Sequence, residues 1–184
     1  MRKVFVTGIG TDVGKTIIAA ILTEALQADY WKPIQCGSLE LTDTERVKRL
    51  VESKQSYFHS EAYLLGTPAS PHYAAEVEDK KIHWGRLKVP ETENTLVIEG
   101  AGGILVPFNY KGESMLDMAK NWDAEVVIVS RNYLGSINHT LLTLKVLMDS
   151  GVKVLGIIFN GEENPSSEEV ILKATKVPLL GRIK

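Results

Sequence analysis

The chain has 184 residues, 44% of them apolar, and a formal net charge of −2. That length and apolar share suit one globular domain, residues 1–184, and no 18-residue apolar run exists that could span a membrane. The absence of a long basic run argues against nucleic acid as the main partner, and the single cysteine, Cys36, excludes an internal disulfide, as suits a cytoplasmic protein.

Met1-Arg2-Lys3-Val4-Phe5-Val6 has the basic start of a signal peptide. Its apolar run is too short for one and meets Gly8-Ile9-Gly10 with no cleavage-type site, so Val4–Val6 reads as a first strand. Ile17 to Leu26 reads as a helix with Ile18, Ile21, Leu22 and Ala25 on one face. Asp29-Tyr30-Trp31 predicts a second strand ending near Lys32-Pro33. Asp43 to Val51 predicts a short helix, and 55–89 is the least regular stretch. Thr95–Ile98 reads as a strand, and Ser114 to Lys120 as a helix capped by Ser114. Glu125–Ser130 is the clearest buried strand. Ser136 to Asp149 follows as a helix with Ile137, Leu141, Leu144 and Met148 on one face and Gly151 past its end. Val154–Phe159 reads as a strand, Glu168–Thr175 as a helix, and Val177–Leu180 as the start of a last strand.

Strands alternating with helices predict an α/β fold of three layers, a mostly parallel central sheet flanked by helices. The run Val126-Val127-Ile128-Val129 is apolar on both faces, as a sheet covered on both sides requires. Ligands in such sheets bind at the carboxyl ends of the strands, so polar residues there are the candidates.

The strongest of these is Gly8-Ile9-Gly10-Thr11-Asp12-Val13-Gly14-Lys15-Thr16, which follows a strand and opens a helix. A phosphate-binding loop needs that context: glycines turn backbone N–H groups toward phosphates, and the helix start adds partial positive charge. Lys15 can reach the outer phosphates and the Thr16 hydroxyl can bind Mg²⁺. The strict motif would place its first glycine at position 9, which is Ile9, so the loop is a variant with five intervening residues.

Lys32 ends the second strand, where its ammonium would enter the ligand crevice, although alone it reads as a surface lysine. Asp43 opens a helix as either an N-cap or a magnesium ligand. Glu99 closes Leu96-Val97-Ile98 and precedes Gly100-Ala101-Gly102-Gly103, the arrangement of a metal-binding acid beside a phosphate loop. Gly135-Ser136-Ile137-Asn138 opens a helix whose free N–H groups could receive a carboxylate, while His139 reads as structural. Asn160 ends a strand before Gly161. It reads first as a turn residue and second as a base-edge contact.

Several segments together resemble the dethiobiotin synthetase family of P-loop ligases. They are Thr7-Gly8 through Lys15-Thr16, Lys32-Pro33-Ile34 with Gly37, Ser70-Pro71-His72, Glu99 through Gly103, Gly135 with Ile137-Asn138-His139, and Pro178-Leu179-Leu180-Gly181. They occur in the family's order along nearly the whole chain. The resemblance implies ATP- and Mg²⁺-dependent joining of CO2 to 7,8-diaminononanoate, through a carbamate and a carbamic-phosphoric anhydride, to give dethiobiotin, ADP and phosphate in biotin biosynthesis. It implies catalytic roles for Thr11, Lys15 and Lys32, and metal ligation by Thr16, Asp43 and Glu99. Nucleotide contacts would come from Asp12, Val13, Gly14, Lys15, Thr16, Ile17, Asp43, Glu99, Gly100, Ala101, Gly102 and Asn160. Substrate contacts would come from Thr11, Cys36, Gly135, Ser136, Ile137 and Asn138, the last four reaching across a homodimer interface. Two departures bear on affinity: Cys36 stands where many relatives carry serine, and the chain stops at Lys184 where relatives continue over the adenine.

Three other classes fit less well. A ParA/MinD-like switch ATPase usually carries an early second lysine in the loop, where this chain has Gly10. A cobyrinate-amidating relative would bring a glutaminase domain. A non-catalytic nucleotide-binding module would not need Lys15, Thr16 and Glu99 together.

Overall fold

The computed structural model describes residues 1–184. Nine strands and six α-helices follow in chain order: β1 (Lys3–Gly8), α1 (Lys15–Ala25), β2 (Asp29–Trp31), β3 (Ile34–Cys36), α2 (Asp43–Leu50), β4 (Phe58–His59), β5 (Tyr63–Leu65), α3 (Pro71–Val77), β6 (Leu96–Gly103), α4 (Met115–Asn121), β7 (Glu125–Arg131), α5 (Ser136–Asp149), β8 (Val154–Asn160), α6 (Pro165–Thr175) and β9 (Leu179–Ile183). Seven strands form one sheet in the order β4-β2-β6-β1-β7-β8-β9, with every neighbouring pair parallel. β3 and β5 pair separately beside it. The expected three-layer architecture is therefore present, with a central sheet that is wholly parallel.

Right-handed crossovers place α1 and α2 on one face, because their connections run toward β4, and α4, α5 and α6 on the other, because theirs run toward β9. The strand register separates the two faces residue by residue. Phe5 and Trp31 both pair with Ile98 and point to the α4 side, where Trp122 stacks 6.3 Å from Phe5 and 5.2 Å from Trp31. Tyr30 pairs with Val97 and points the other way, toward α1, as does Glu99 two residues on. β1, β6 and β7 lie next to one another, and connections leave them in both directions. This switch point is where an open parallel sheet forms its ligand crevice.

The element boundaries match the sequence reading closely for α5 and within a few residues for α1, α2, α4, β7 and β8. Two buried faces differ. On α1 the buried residues are Lys15, Ile18, Ala19, Ala20 and Thr23, while Ile21 is 43% exposed. On α5 they are Ser136, Thr140, Thr143, Leu144 and Leu147, while Met148 is 47% exposed. Small and hydroxylated side chains let both helices sit close to the sheet, so the apolar stripe is displaced from the contact. On α5, Ser130 and Thr140 share a buried hydroxyl contact of 3.0 Å. The stretch 55–89 holds β4, β5 and α3, which the sequence reading left unassigned. No helix is long and apolar enough to cross a membrane.

Candidate active site

The phosphate loop spans the turn from β1 to α1, and its shape explains two glycines. Gly14 has a φ of +97°, and a Cβ there would lie 2.1 Å from the Asn160 side-chain nitrogen. A Cβ on Gly8 would meet Val13 at 2.5 Å. Gly14 also ends the loop as the N-cap of α1, so the N–H groups of Lys15, Thr16 and Ile17 have no backbone acceptor and face the crevice end. Lys15 folds back, its Nζ donating to the Gly10 carbonyl at 3.0 Å. Burial, with the nearby Lys32 ammonium, pulls the Lys15 pKa down to about 8. Bound phosphates would favour its charged form and raise that value again.

Beside the loop, Lys32 is 4% exposed and Glu99 1% exposed. Lys32 Nζ lies 2.7 Å from Asp43 Oδ2 and 2.9 Å from Glu99 Oε1, with a longer contact of 3.4 Å to the Gly100 carbonyl. Burial works against the charged lysine, yet Glu99 and Asp43 outweigh it and hold the lysine above its ordinary pKa. The same pairing holds Asp43 below the usual carboxylate range against its own burial. Thr16 Oγ1 donates to Glu99 Oε1 at 2.9 Å. Tyr30, absent from the sequence candidates, donates its phenol to Glu99 Oε2 at 2.8 Å. Burial and the adjacent carboxylate hold that phenol well above its ordinary pKa, so it stays protonated.

Asp43 owes its place to α2. Thr42 caps that helix in a capping box with Glu45, and Gln35 Oε1 accepts the Asp43 N–H at 3.2 Å. The two carboxylates and the Thr16 hydroxyl are hard oxygen donors converging on a point of cationic charge. They fit Mg²⁺, which takes one or two carboxylates and completes its shell with phosphate oxygens and water. No cluster of three acidic, His or Cys residues exists, and magnesium does not require one.

A cleft of about 680 Å³ opens over this group. It brings together Thr11, Asp12, Gly14, Lys15, Thr16, Lys32, Cys36, Asp43, Glu99, Ala101 and Gly102 from the sequence candidates. It also includes Gln35, Ser38, Pro68 and Ser70, which sequence reasoning did not assign roles. Burial pushes the Cys36 thiol up to about 11. Val13 is buried, with its carbonyl accepting from Asn160 Nδ2 at 2.9 Å, and Ile17 is 43% exposed on the flank of α1. Asn160 is thus partly committed to bracing the loop. Gly135, Ser136, Ile137 and Asn138 do not line the cleft. They open α5, next to the fully exposed Leu134. The missed Tyr30 had a signal in the sequence: it lies two residues before Lys32, hence on the same face of the chain if the strand continues.

The AAA-domain family profile matches residues 2–184. The ATP-dependent dethiobiotin synthetase of Christiangramia forsetii is 52% identical over 183 residues, covering 100% of this chain and 87% of that protein. Its counterpart from Cytophaga hutchinsonii is 50% identical, covering 98% of this chain and 87% of that protein. The chain belongs to the dethiobiotin synthetase family. Among solved structures, the septum site-determining protein MinD of Pyrococcus horikoshii, complexed with Mg-ADP, aligns with a TM-score of 0.61 at 18% identity, covering 99% of this chain and 80% of that one. The cell division ATPase MinD of Pyrococcus furiosus aligns at 0.62 and 17%, covering 99% and 83%. At that identity the likeness of this dethiobiotin synthetase family member to both proteins is one of fold alone.

Proposed function

We propose that the chain is a cyclo-ligase that uses ATP and Mg²⁺ to close 7,8-diaminononanoate and CO2 into dethiobiotin, releasing ADP and phosphate. The observation that carries this reading is the convergence of Lys15, Lys32, Thr16, Asp43 and Glu99 in one cleft beside a phosphate loop, in a chain of this family.

The chemistry asks two anions, a carbamate and a phosphoryl group, to approach within bonding range. At about 4 Å and an effective dielectric near 20, two unit charges repel by about 4 kcal/mol. Lys15 and Lys32 lower that repulsion from two sides and hold both partners in line, which is the main work of phosphoryl transfer catalysts. Thr11, exposed on the loop, lies on the cleft wall where the substrate amines would sit. Cys36 lines the same wall as a neutral thiol and offers a weaker hydrogen bond than a serine hydroxyl would. Thr16, Asp43 and Glu99 would hold magnesium, which neutralises the phosphates it bridges.

The shared dimeric site belongs to the same reading. The helix start Gly135–Asn138 lies off the cleft of its own chain and next to an exposed Leu134, as a contribution to a second copy's site requires. One domain, residues 1–184, then supplies the nucleotide half of one site and the carboxylate-binding half of another, in the cytoplasm.

The deciding experiment measures ADP release with Mg²⁺-ATP, with and without 7,8-diaminononanoate and bicarbonate. Release that needs both additions, with dethiobiotin in equal amount, is expected. Hydrolysis indifferent to both would replace this reading with a switch ATPase.

A further inference from the structure

The Glu99 carboxylate is 1% exposed, and its two oxygens have separate partners. Oε1 faces the reaction space and meets Lys32 Nζ and Thr16 Oγ1, each at 2.9 Å. Oε2 faces away from it and receives one hydrogen bond, from the Tyr30 phenol at 2.8 Å. Tyr30 is fully buried. Its ring packs 6.4 Å from Phe58, and its hydroxyl reaches nothing but this carboxylate. The parallel register explains why the two meet. Tyr30 pairs with Val97, so its side chain lies on the same sheet face as Val97 and Glu99 of the neighbouring strand, and Lys32 follows just past the end of β2.

A carboxylate free to rotate about its last torsion would present either oxygen, or both, to a metal and would pay rotamer entropy on binding. A donor fixed in the core on the far oxygen removes that freedom. We propose that Tyr30 is a positioning residue for the nucleotide–magnesium site: its phenol locks the Glu99 carboxylate so that Oε1 alone faces Thr16, Lys32 and the cation. The inference rests on the nucleotide–magnesium reading of the cleft. Tyr30 does not line the cleft, so it would act through Glu99. Partners of metal-binding carboxylates that lie one step out commonly control affinity 10–100-fold.

The test is calorimetric titration of ADP into the wild-type protein and into Tyr30→Phe, with Mg²⁺ and with a chelator. Phenylalanine keeps the ring and removes the donor. Mg-ADP affinity is expected to fall about 10–100-fold, with metal-free ADP affinity unchanged. In a Glu99→Gln background, Tyr30→Phe should then add no further loss, because the residue through which it acts is already altered. Equal Mg-ADP affinity in wild type and variant overturns the proposal, even if the variant melts at a lower temperature, since a purely structural tyrosine would behave so. Equal losses with and without Mg²⁺ also overturn it, as would fully additive losses in the double variant. If wild-type ADP affinity ignores Mg²⁺, the metal reading fails, and this inference fails with it.

Discussion

Lys32 is the residue at which stability and the proposed chemistry meet. Sequence reasoning places its ammonium in the ligand crevice, or on the surface if taken alone. The structure buries it between two carboxylates, with 4% exposure. Lys32→Ala should therefore do two things. Turnover should fall at least about 10²–10³-fold, the usual loss when a preorganised charge is removed from a transition state. Unfolding free energy should drop by about 3–5 kcal/mol, since Glu99 and Asp43 then face each other uncompensated. Mg²⁺ should raise the variant's melting temperature more than it raises the wild type's. A calorimetric scan with and without the metal checks this, and equal shifts would refute the shared-charge account. Cys36 gives a second test at this scale. Its pKa near 11 leaves little thiolate at neutral pH. With a free thiol near 8.5, alkylation at pH 7 should run about 10²-fold slower than for a small thiol, and should quicken as pH rises. The chain's single cysteine makes the time course unambiguous.

Among the elements, α2 and β2 show how secondary structure aims these groups. α2 puts Asp43 at its first turn, and the Thr42 cap fixes where that turn begins. Thr42→Ala should cost about 1 kcal/mol, read as a shift in the denaturation midpoint. It should also weaken Mg-ADP binding, because Asp43 loses its fixed helix start. β2 is short, and Asp29 anchors its beginning. That carboxylate accepts from the Tyr57 N–H at 2.9 Å, the Thr92 hydroxyl at 2.6 Å and Asn94 Nδ2 at 3.1 Å. Burial opposes its ionisation, but these donors outweigh it and hold the carboxyl below the usual aspartate range. A depressed carboxylate stabilises the fold above its unfolded pKa, and the contribution disappears as pH falls through the folded value. Asp29→Asn should thus destabilise the protein at pH 7 and make less difference in strong acid. A pH series of denaturant midpoints for both proteins tests the sign.

At the scale of the whole molecule, the parallel sheet gathers residues distant in sequence at one end of β1, β2 and β6, while the α5 start stays outside that cleft. If two copies share each site, Lys15→Ala and Asn138→Asp, each inactive alone, should complement when mixed. Random exchange makes half the dimers mixed, each with one intact site, so about a quarter of wild-type activity should return. Activity that stays at background after verified subunit exchange would place the whole site within one copy.

The sequence by itself determined the elements whose signal is local. The phosphate loop is a run of nine residues from Gly8 to Thr16, and Glu99 sits at the end of an apolar strand before a glycine run. Periodicity and capping also located α5 and the buried strand β7, because backbone hydrogen bonding and side-chain period are properties of neighbouring residues. The tertiary structure alone decided which face each helix buries. Small residues on α1 and α5 permit close approach, and that advantage exists only against a sheet. The strands in 55–89 are two or three residues long, too short for a period to register, and exist because partners flank them. The burial of Lys32, and the Tyr30 hydrogen bond to Glu99 across 69 residues, depend on which strands pair and in what register. That choice is made by the packed sheet as a whole, and no local stretch of the chain encodes it.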